Sequence, residues 1–145
     1  MVEYKTENKE LNDCFYSVAY RIENGVATIF EERWFKNKSG HDKSGDVYFH
    51  LIEYDKDGNK TLEHWYDENN ELHSDNDSNP AVTLYYKNGN KKLEEWFKNG
   101  KKHRDKEPAL IEYDENEDKK KEEWYLDGSL ILGRIPCQQW ISHSS

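Results

Sequence analysis

Apolar and aromatic residues recur at every second position in short bursts, as in Tyr16, Val18 and Tyr20 and again in Val82, Leu84 and Tyr86. A period of two, rich in β-branched and aromatic side chains, marks a β-strand with one face turned inward. Each burst runs into a polar turn: Glu23-Asn24-Gly25, Asp57-Gly58-Asn59, Asn88-Gly89 and Glu115-Asn116-Glu117-Asp118. Asn-Gly and Asp-Gly supply the positive φ angles of tight hairpins, so successive bursts are expected to pair as β-hairpins. In the third hairpin, a two-residue type I′ turn at Asn88-Gly89 sets Tyr86 opposite Lys91, Leu84 opposite Leu93 and Val82 opposite Glu95. One face then carries Val82, Leu84, Tyr86, Leu93 and Phe97, a candidate core; the other carries Thr83, Tyr85, Glu94 and Trp96. A three-residue bulged loop at Lys56-Asp57-Gly58 keeps corresponding residues on matching faces in the second hairpin.

The hairpins are copies of one unit. Four times the chain repeats a phrase: Glu32-Arg33-Trp34-Phe35, Glu63-His64-Trp65-Tyr66, Glu94-Glu95-Trp96-Phe97 and Glu122-Glu123-Trp124-Tyr125. The tryptophans are spaced by 31, 31 and 28 residues. Before them lie Val18-Ala19-Tyr20, Ile52-Glu53-Tyr54, Leu84-Tyr85-Tyr86 and Ile111-Glu112-Tyr113. A fixed period of this length belongs to stacked units, none of which buries its apolar face alone. The links between hairpins also recur, opening at His41, His73 and His103, and Pro80 and Pro108 stand just before the strands that follow. Proline at a strand's start removes no ladder hydrogen bond, so it serves as a boundary.

The expected organisation is one domain over residues 1–145, with repeats at about 16–40, 46–72, 81–103 and 108–128. The more apolar stretch 129–145 reads as a cap, and the first dozen and last few residues are expected outside the ordered fold. The predicted class is all-β: an antiparallel meander of about eight or nine strands at the usual five to six residues each. An elongated, curved single sheet is favoured, and an open barrel is the alternative.

The segment Tyr85-Tyr86-Lys87-Asn88-Gly89-Asn90-Lys91-Lys92-Leu93-Glu94-Glu95-Trp96-Phe97-Lys98-Asn99-Gly100, continuing to His103-Arg104-Asp105, resembles MORN-type β-hairpin repeat proteins. It looks most like the bacterial branch labelled antitoxin or immunity proteins, over about residues 16–128. The chain departs from that pattern after Asp105, where Lys106-Glu107 stand in place of the usual glycine. The resemblance implies a non-catalytic binding protein that neutralises a partner toxin, and it assigns no binding residues. A structural scaffold or self-associating repeat protein is the other function it admits.

Composition narrows the partner. Aromatics make up 14% of the 145 residues, against the pattern of disordered acidic chains, although charged residues reach 35%. With 21 basic and 30 acidic residues the net charge is −9, which repels phosphate backbones and anionic membranes and attracts a basic protein. The expected partner is therefore a basic toxin domain such as a nuclease, not nucleic acid and not a membrane. No stretch approaches the ~20 apolar residues of a membrane span, and residues 1–10 lack the apolar core of a signal peptide. Cys14 and Cys137 read as reduced thiols, and the expected location is cytoplasmic.

Candidate chemistry is sparse. His41, His73 and His103 each precede an Asp by one or two positions, but no Cys-x-x-Cys or His-x-x-x-His spacing accompanies them, so they read as turn histidines and no metal is expected. Asp55-Lys56-Asp57-Gly58-Asn59 opens like a calcium loop but has Tyr66 where the closing Glu belongs. No phosphate-binding glycine loop or nucleophile elbow is present, and neither an enzyme nor a cofactor is expected. The candidate binding residues are Glu32, Trp34, Glu63, Trp65, Glu94, Trp96, Glu122 and Trp124, which strand parity places on one face. Tryptophan anchors dominate interface energies, and carboxylates beside them favour Lys and Arg from a partner. The competing reading puts these tryptophans in the core.

Overall fold

A computed structural model describes residues 1–10, 14–36 and 49–134. The described chain is all-β, with no helix. In order come β1 (Val2–Glu10), β2 (Cys14–Glu23), β3 (Val26–Lys36), β4 (Phe49–Tyr54), β5 (Lys60–Tyr66) and β6 (Val82–Tyr85). Then follow β7 (Lys91–Glu95), β8 (Phe97–Lys98), β9 (Lys101–Lys102), β10 (Leu110–Tyr113), β11 (Lys119–Leu126) and β12 (Ser129–Arg134). Ten strands form one antiparallel meander in the order β1-β2-β3-β4-β5-β6-β7-β10-β11-β12, and β8 and β9 pair separately. The sheet is open and does not close into a barrel.

The ten strands of the meander are one or two more than the eight or nine expected. The first dozen residues, expected outside the fold, contain β1, which pairs with β2 without a break from Val2↔Glu23 to Glu10↔Phe15. All nine residues of β1 are exposed, so hydrogen bonds to β2 rather than burial hold this edge. In the stretch read as a cap, β12 joins the sheet as a tenth strand against β11. The link containing His41 and the stretch containing Cys137 lie outside the described residues.

Two kinds of turn build the meander. Asn24-Gly25, Asn99-Gly100 and Asp127-Gly128 have positive φ at both residues, as two-residue type I′ hairpins require. The loops Lys56-Asp57-Gly58, Glu68-Asn69-Asn70, Lys87-Asn88-Gly89 and Glu115-Asn116-Glu117 span three residues, with only the last at positive φ. Three of these are tied by the preceding aspartate: the Oδ1 atoms of Asp55, Asp67 and Asp114 each accept two backbone N–H groups of their own loop. The calcium-like segment at Asp55 is thus a hairpin turn.

The third hairpin corrects the register near its tip. Val82↔Glu95 and Leu84↔Leu93 pair as expected, but Tyr85, not Tyr86, faces Lys91. The turn holds three residues instead of two, closed by Tyr86 N donating to Asn90 O at 2.8 Å, and a bulge after Leu84 absorbs the extra residue. The same irregularity precedes Tyr20, Tyr54 and Tyr113. Tyr85 is therefore the repeat equivalent of Tyr54 and Tyr113, one residue earlier than the sequence phrase suggests. The extra residue lies on the partner strand, at Phe30, Thr61, Lys92 and Lys120, so each tyrosine keeps the face of Val18, Ile52, Thr83 or Ile111 two residues before it.

Burial also reverses the expected faces of that hairpin. Of the candidate core, Val82 is buried, while Leu84, Tyr86, Leu93 and Phe97 are half-exposed. The deeply covered side is the other one, with Thr83, Glu94, Trp96, Ile111 and Glu122 buried. Trp96, Ala109 and Ile111 form the core cluster, with Tyr113 and Tyr125 packed against it. The reason is long-range: the chain returns over this face after Trp65 and after Trp96.

That return makes a second tier. Tyr66 bridges Leu72 across the loop at Asp67, and β8–β9 is the corresponding small hairpin one repeat later. Ser74 N donates to Phe97 O at 2.8 Å and Gly100 N to Leu72 O at 3.0 Å, joining the first small hairpin to the second. Gly128 N to Lys102 O, 2.8 Å, and Arg104 N to Tyr125 O, 3.2 Å, join the second to the turn of β11–β12. The link histidines His73 and His103 are part of this tier. His73 Nδ1 accepts the Asn99 N–H at 3.2 Å, and His103 Nδ1 accepts the Asp127 N–H at 3.0 Å.

Candidate partner-binding face

One cross-strand row runs through eight strands of the sheet. Val18 pairs with Glu32, Glu32 with Ile52, Ile52 with Glu63 and Glu63 with Thr83. Thr83 pairs with Glu94, Glu94 with Ile111 and Ile111 with Glu122. A β-branched residue alternates with a glutamate at every step. Directly paired residues on a sheet share a face, so all four glutamates lie on one side. Trp34, Trp65 and Trp124 follow two residues later on their strands, on that same side, with Trp96 just beyond the end of β7.

Carboxylates at half-buried and buried positions need donors. The tyrosines beside the bulges provide them from the next repeat. Tyr54 donates to Glu32 Oε1, Tyr85 to Glu63 Oε1 at 2.5 Å, and Tyr113 to Glu94 Oε1 at 2.6 Å. Tyr16 adds a second donor to Glu32 at 2.6 Å. Glu63 receives two more, from His50 Nε2 and Lys60 Nζ, both at 2.9 Å. Lys91 Nζ reaches Glu94 at 3.1 Å. The result is a tyrosine–glutamate ladder that ties each repeat to the one before it.

The ladder fixes protonation states. The hydrogen bond from His50, opposed by burial and helped by Tyr85 and Lys60, brings Glu63 from 4.5 to about 2. Burial, then the bond to Glu32 and its charge, lifts Tyr54 from 10.0 to about 12. Tyr16, Tyr85 and Tyr113 shift upward for the same reasons, with Glu32, Glu63 and Glu94 as the respective partners. These groups are locked as donor and acceptor at neutral pH. A general acid or base needs the opposite tuning, toward the working pH.

The eight candidate residues share a face, but the structure treats them unequally. Trp96 is 3% exposed, and Glu94 and Glu122 are buried. Glu32, Trp34, Glu63, Trp65 and Trp124 are half-exposed. Trp34 lies against Tyr16, with ring centroids 4.1 Å apart, and Trp65 stacks on His50 at 3.5 Å and 6°. His50 and the ladder tyrosines were not among the sequence candidates. For the tyrosines the signal was their recurrence near the end of each repeat's first strand, and parity alone had already put Tyr85 on the Glu94 side.

Two equivalent places on this face differ in occupancy. Over Trp96, the Arg104 guanidinium sits 3.7 Å from the ring centroid. Its Nη1 donates to Pro108 O at 3.1 Å and its Nη2 pairs with Glu107. Over Trp65 there is instead an open cleft of about 290 Å³, lined by Glu63, Trp65, Ser74, Asp75, Pro80 and Tyr85 among others. Among the described residues no group of three or more His, Cys, Asp and Glu is arranged to hold a metal, and no helix is long and apolar enough to cross a membrane.

Comparisons with protein-family models, with curated proteins and with solved structures find no match to this chain. Its class therefore rests on its own fold and face: an open, all-β protein of repeated hairpins, cross-tied by a tyrosine–glutamate ladder.

Proposed function

We propose that this chain is a non-catalytic protein-binding module whose Trp- and Glu-bearing face engages a basic protein domain. The observation that carries the reading is the carboxylate row, where Glu63 stays ionised far below neutral pH beside a half-exposed Trp65. Fixed negative charge beside an aromatic anchor favours Lys- and Arg-rich partners, and the net charge of −9 adds long-range attraction. The resemblance to the antitoxin and immunity branch of hairpin-repeat proteins makes the partner a toxin domain, neutralised in the cytoplasm by occlusion of its substrate cleft. A partner interface of ordinary size buries on the order of 1,600 Å² in total.

The test is calorimetric titration of the chain against the product of the neighbouring gene, expected to be a basic protein. Tight binding is expected, weakening as salt rises. The pair Glu63→Lys and Trp65→Ala is expected to weaken it at least tenfold with far-ultraviolet dichroism unchanged. Absence of binding at low salt removes the proposal, and binding unaffected by the double variant removes this face from it.

A second reading, self-association as a repeat scaffold, draws on the sheet edges. On β12, Leu130, Ile131 and Leu132 are exposed, and the outer edges of β1 and β12 carry no strand partner among the described residues. Unpaired edges are templates for strand addition. Gel filtration separates the readings: a salt-insensitive oligomer favours the scaffold, and a monomer that shifts only with a basic partner favours the binding module.

A further inference from the structure

The repeats carrying Trp65 and Trp96 share their anchoring backbone contacts, although the turn after the Trp and the link to the proline are each longer in the first. Trp65 N donates to Ala81 O and Trp96 N to Ala109 O, both at 2.8 Å. His73 N donates to Trp65 O and His103 N to Trp96 O, both at 3.0 Å. The next residue in each link, Ser74 or Arg104, then donates its backbone N–H to the following small hairpin, at Phe97 O or Tyr125 O. Ser74 and Arg104 therefore hold the same place in successive repeats, as do Pro80 and Pro108, Glu63 and Glu94, and Tyr85 and Tyr113.

Arg104 fills its place completely. Its side chain is 8% exposed, with the guanidinium carbon 3.7 Å from the Trp96 ring centroid and Nη1 hydrogen-bonded to the Pro108 carbonyl. Ser74 is too short to do likewise, and the room it leaves is the cleft of about 290 Å³ over Trp65. That volume sits at the bottom of the about 300–1,000 Å³ usual for ligand pockets, so it suits one long side chain better than a cofactor. Two carboxylates line it, Asp75 and Glu63, the latter already holding Tyr85, His50 and Lys60, and the lysine at its rim, Lys91, is tied to Glu94. An aromatic wall with carboxylates beside it suits a planar, delocalised cation.

We infer that the cleft over Trp65 is a receptor for an arginine side chain presented by the protein partner, which takes the place that Arg104 occupies in the next repeat. The inference rests on the proposed binding of a basic protein and adds the residue recognised. Guanidinium is favoured over ammonium because the occupied copy places its guanidinium carbon over the indole and its N–H donors on a carbonyl and a carboxylate.

The experiment needs no partner protein. Titrating the chain with N-acetylarginine amide, followed by the indole N–H resonances, should give a saturable shift at Trp65 and none at Trp96. The citrulline analogue, equal in shape but uncharged, should bind at least tenfold more weakly, and the lysine analogue weaker than arginine. Ser74→Arg, which installs the neighbouring repeat's own occupant, should abolish the shift; Ser74→Met, an uncharged filler, serves as a second occluding variant should the first fold poorly. No saturable shift, equal response to citrulline, or a shift that survives both occluding variants overturns the inference. Loss of partner binding with the arginine response intact would instead remove the proposed function and leave the cleft's specificity standing.

Discussion

Trp65 and Trp96 occupy the same position in consecutive repeats and have opposite fates. Around Trp96 the link supplies Arg104, the ring is 3% exposed, and the residue anchors the core. Around Trp65 the link supplies Ser74, the ring stays half-exposed, and His50 rather than a link residue stacks on it. A repeat's anchoring bonds can thus be kept while its link decides whether the tryptophan is buried in the fold or left half-exposed beside a cleft. Burial differs between copies on one and the same face.

The largest test of this contrast is truncation. Trp96→Ala is expected to cost about 3–5 kcal/mol of folding free energy, the range for deleting a buried aromatic. Trp65→Ala is expected to cost about 1–2 kcal/mol, because part of its surface already meets solvent. Urea denaturation measures both, and equal losses would erase the distinction between the two repeats.

Next come the ladder tyrosines. Tyr113→Phe leaves the buried Glu94 short of a donor and should cost about 2 kcal/mol, in the range for bonds to charged groups. Tyr85→Phe should cost less, since Glu63 keeps His50 and Lys60. The same bonds set an alkaline limit. A pKa raised on folding contributes stability that is complete below the unfolded value and lost as pH rises through the folded one. For Tyr54 that window runs from 10.0 to about 12, and tyrosinate absorbance should show its delayed ionisation.

In acid the sign is reversed. Glu63 is depressed from 4.5 to about 2, so its contribution is complete above 4.5 and lost as pH falls toward 2. Glu63→Gln should flatten that part of the stability–pH curve, measured by urea midpoints across the window, whereas a slope identical to wild type would place the charge elsewhere.

The smallest expected effect compares turns. Gly58 and Gly89 hold the left-handed position of their three-residue loops, while Glu117 holds it at φ 70° with a side chain attached. Glu117→Gly should raise stability by up to about 1 kcal/mol, the scale of the left-handed penalty for an L-residue less the glycine's added chain entropy. Thermal melting detects it, and a lower melting temperature would mean the Glu117 side chain contributes a contact that outweighs the strain.

Much of this was legible along the chain because hairpins are local objects. The alternation of residues, the Asn-Gly and Asp-Gly corners and the period of the tryptophans determined the all-β meander, the core of the third hairpin's register, and the common face of Glu32, Glu63, Glu94 and Glu122. What packs over that face was not legible. The links return from outside the hairpin, and only their long-range contacts bury Trp96, leave a cleft at Trp65, and make the tryptophan side rather than Leu84 and Leu93 the deeper one. The bulge that sets Tyr85 rather than Tyr86 opposite Lys91 was equally hidden, since a loop of two residues and one of three differ by a single ladder bond. Turn chemistry and periodicity act over a few neighbours and are written in order; burial depends on which distant segment arrives on top, and that is decided only when the whole sheet is assembled.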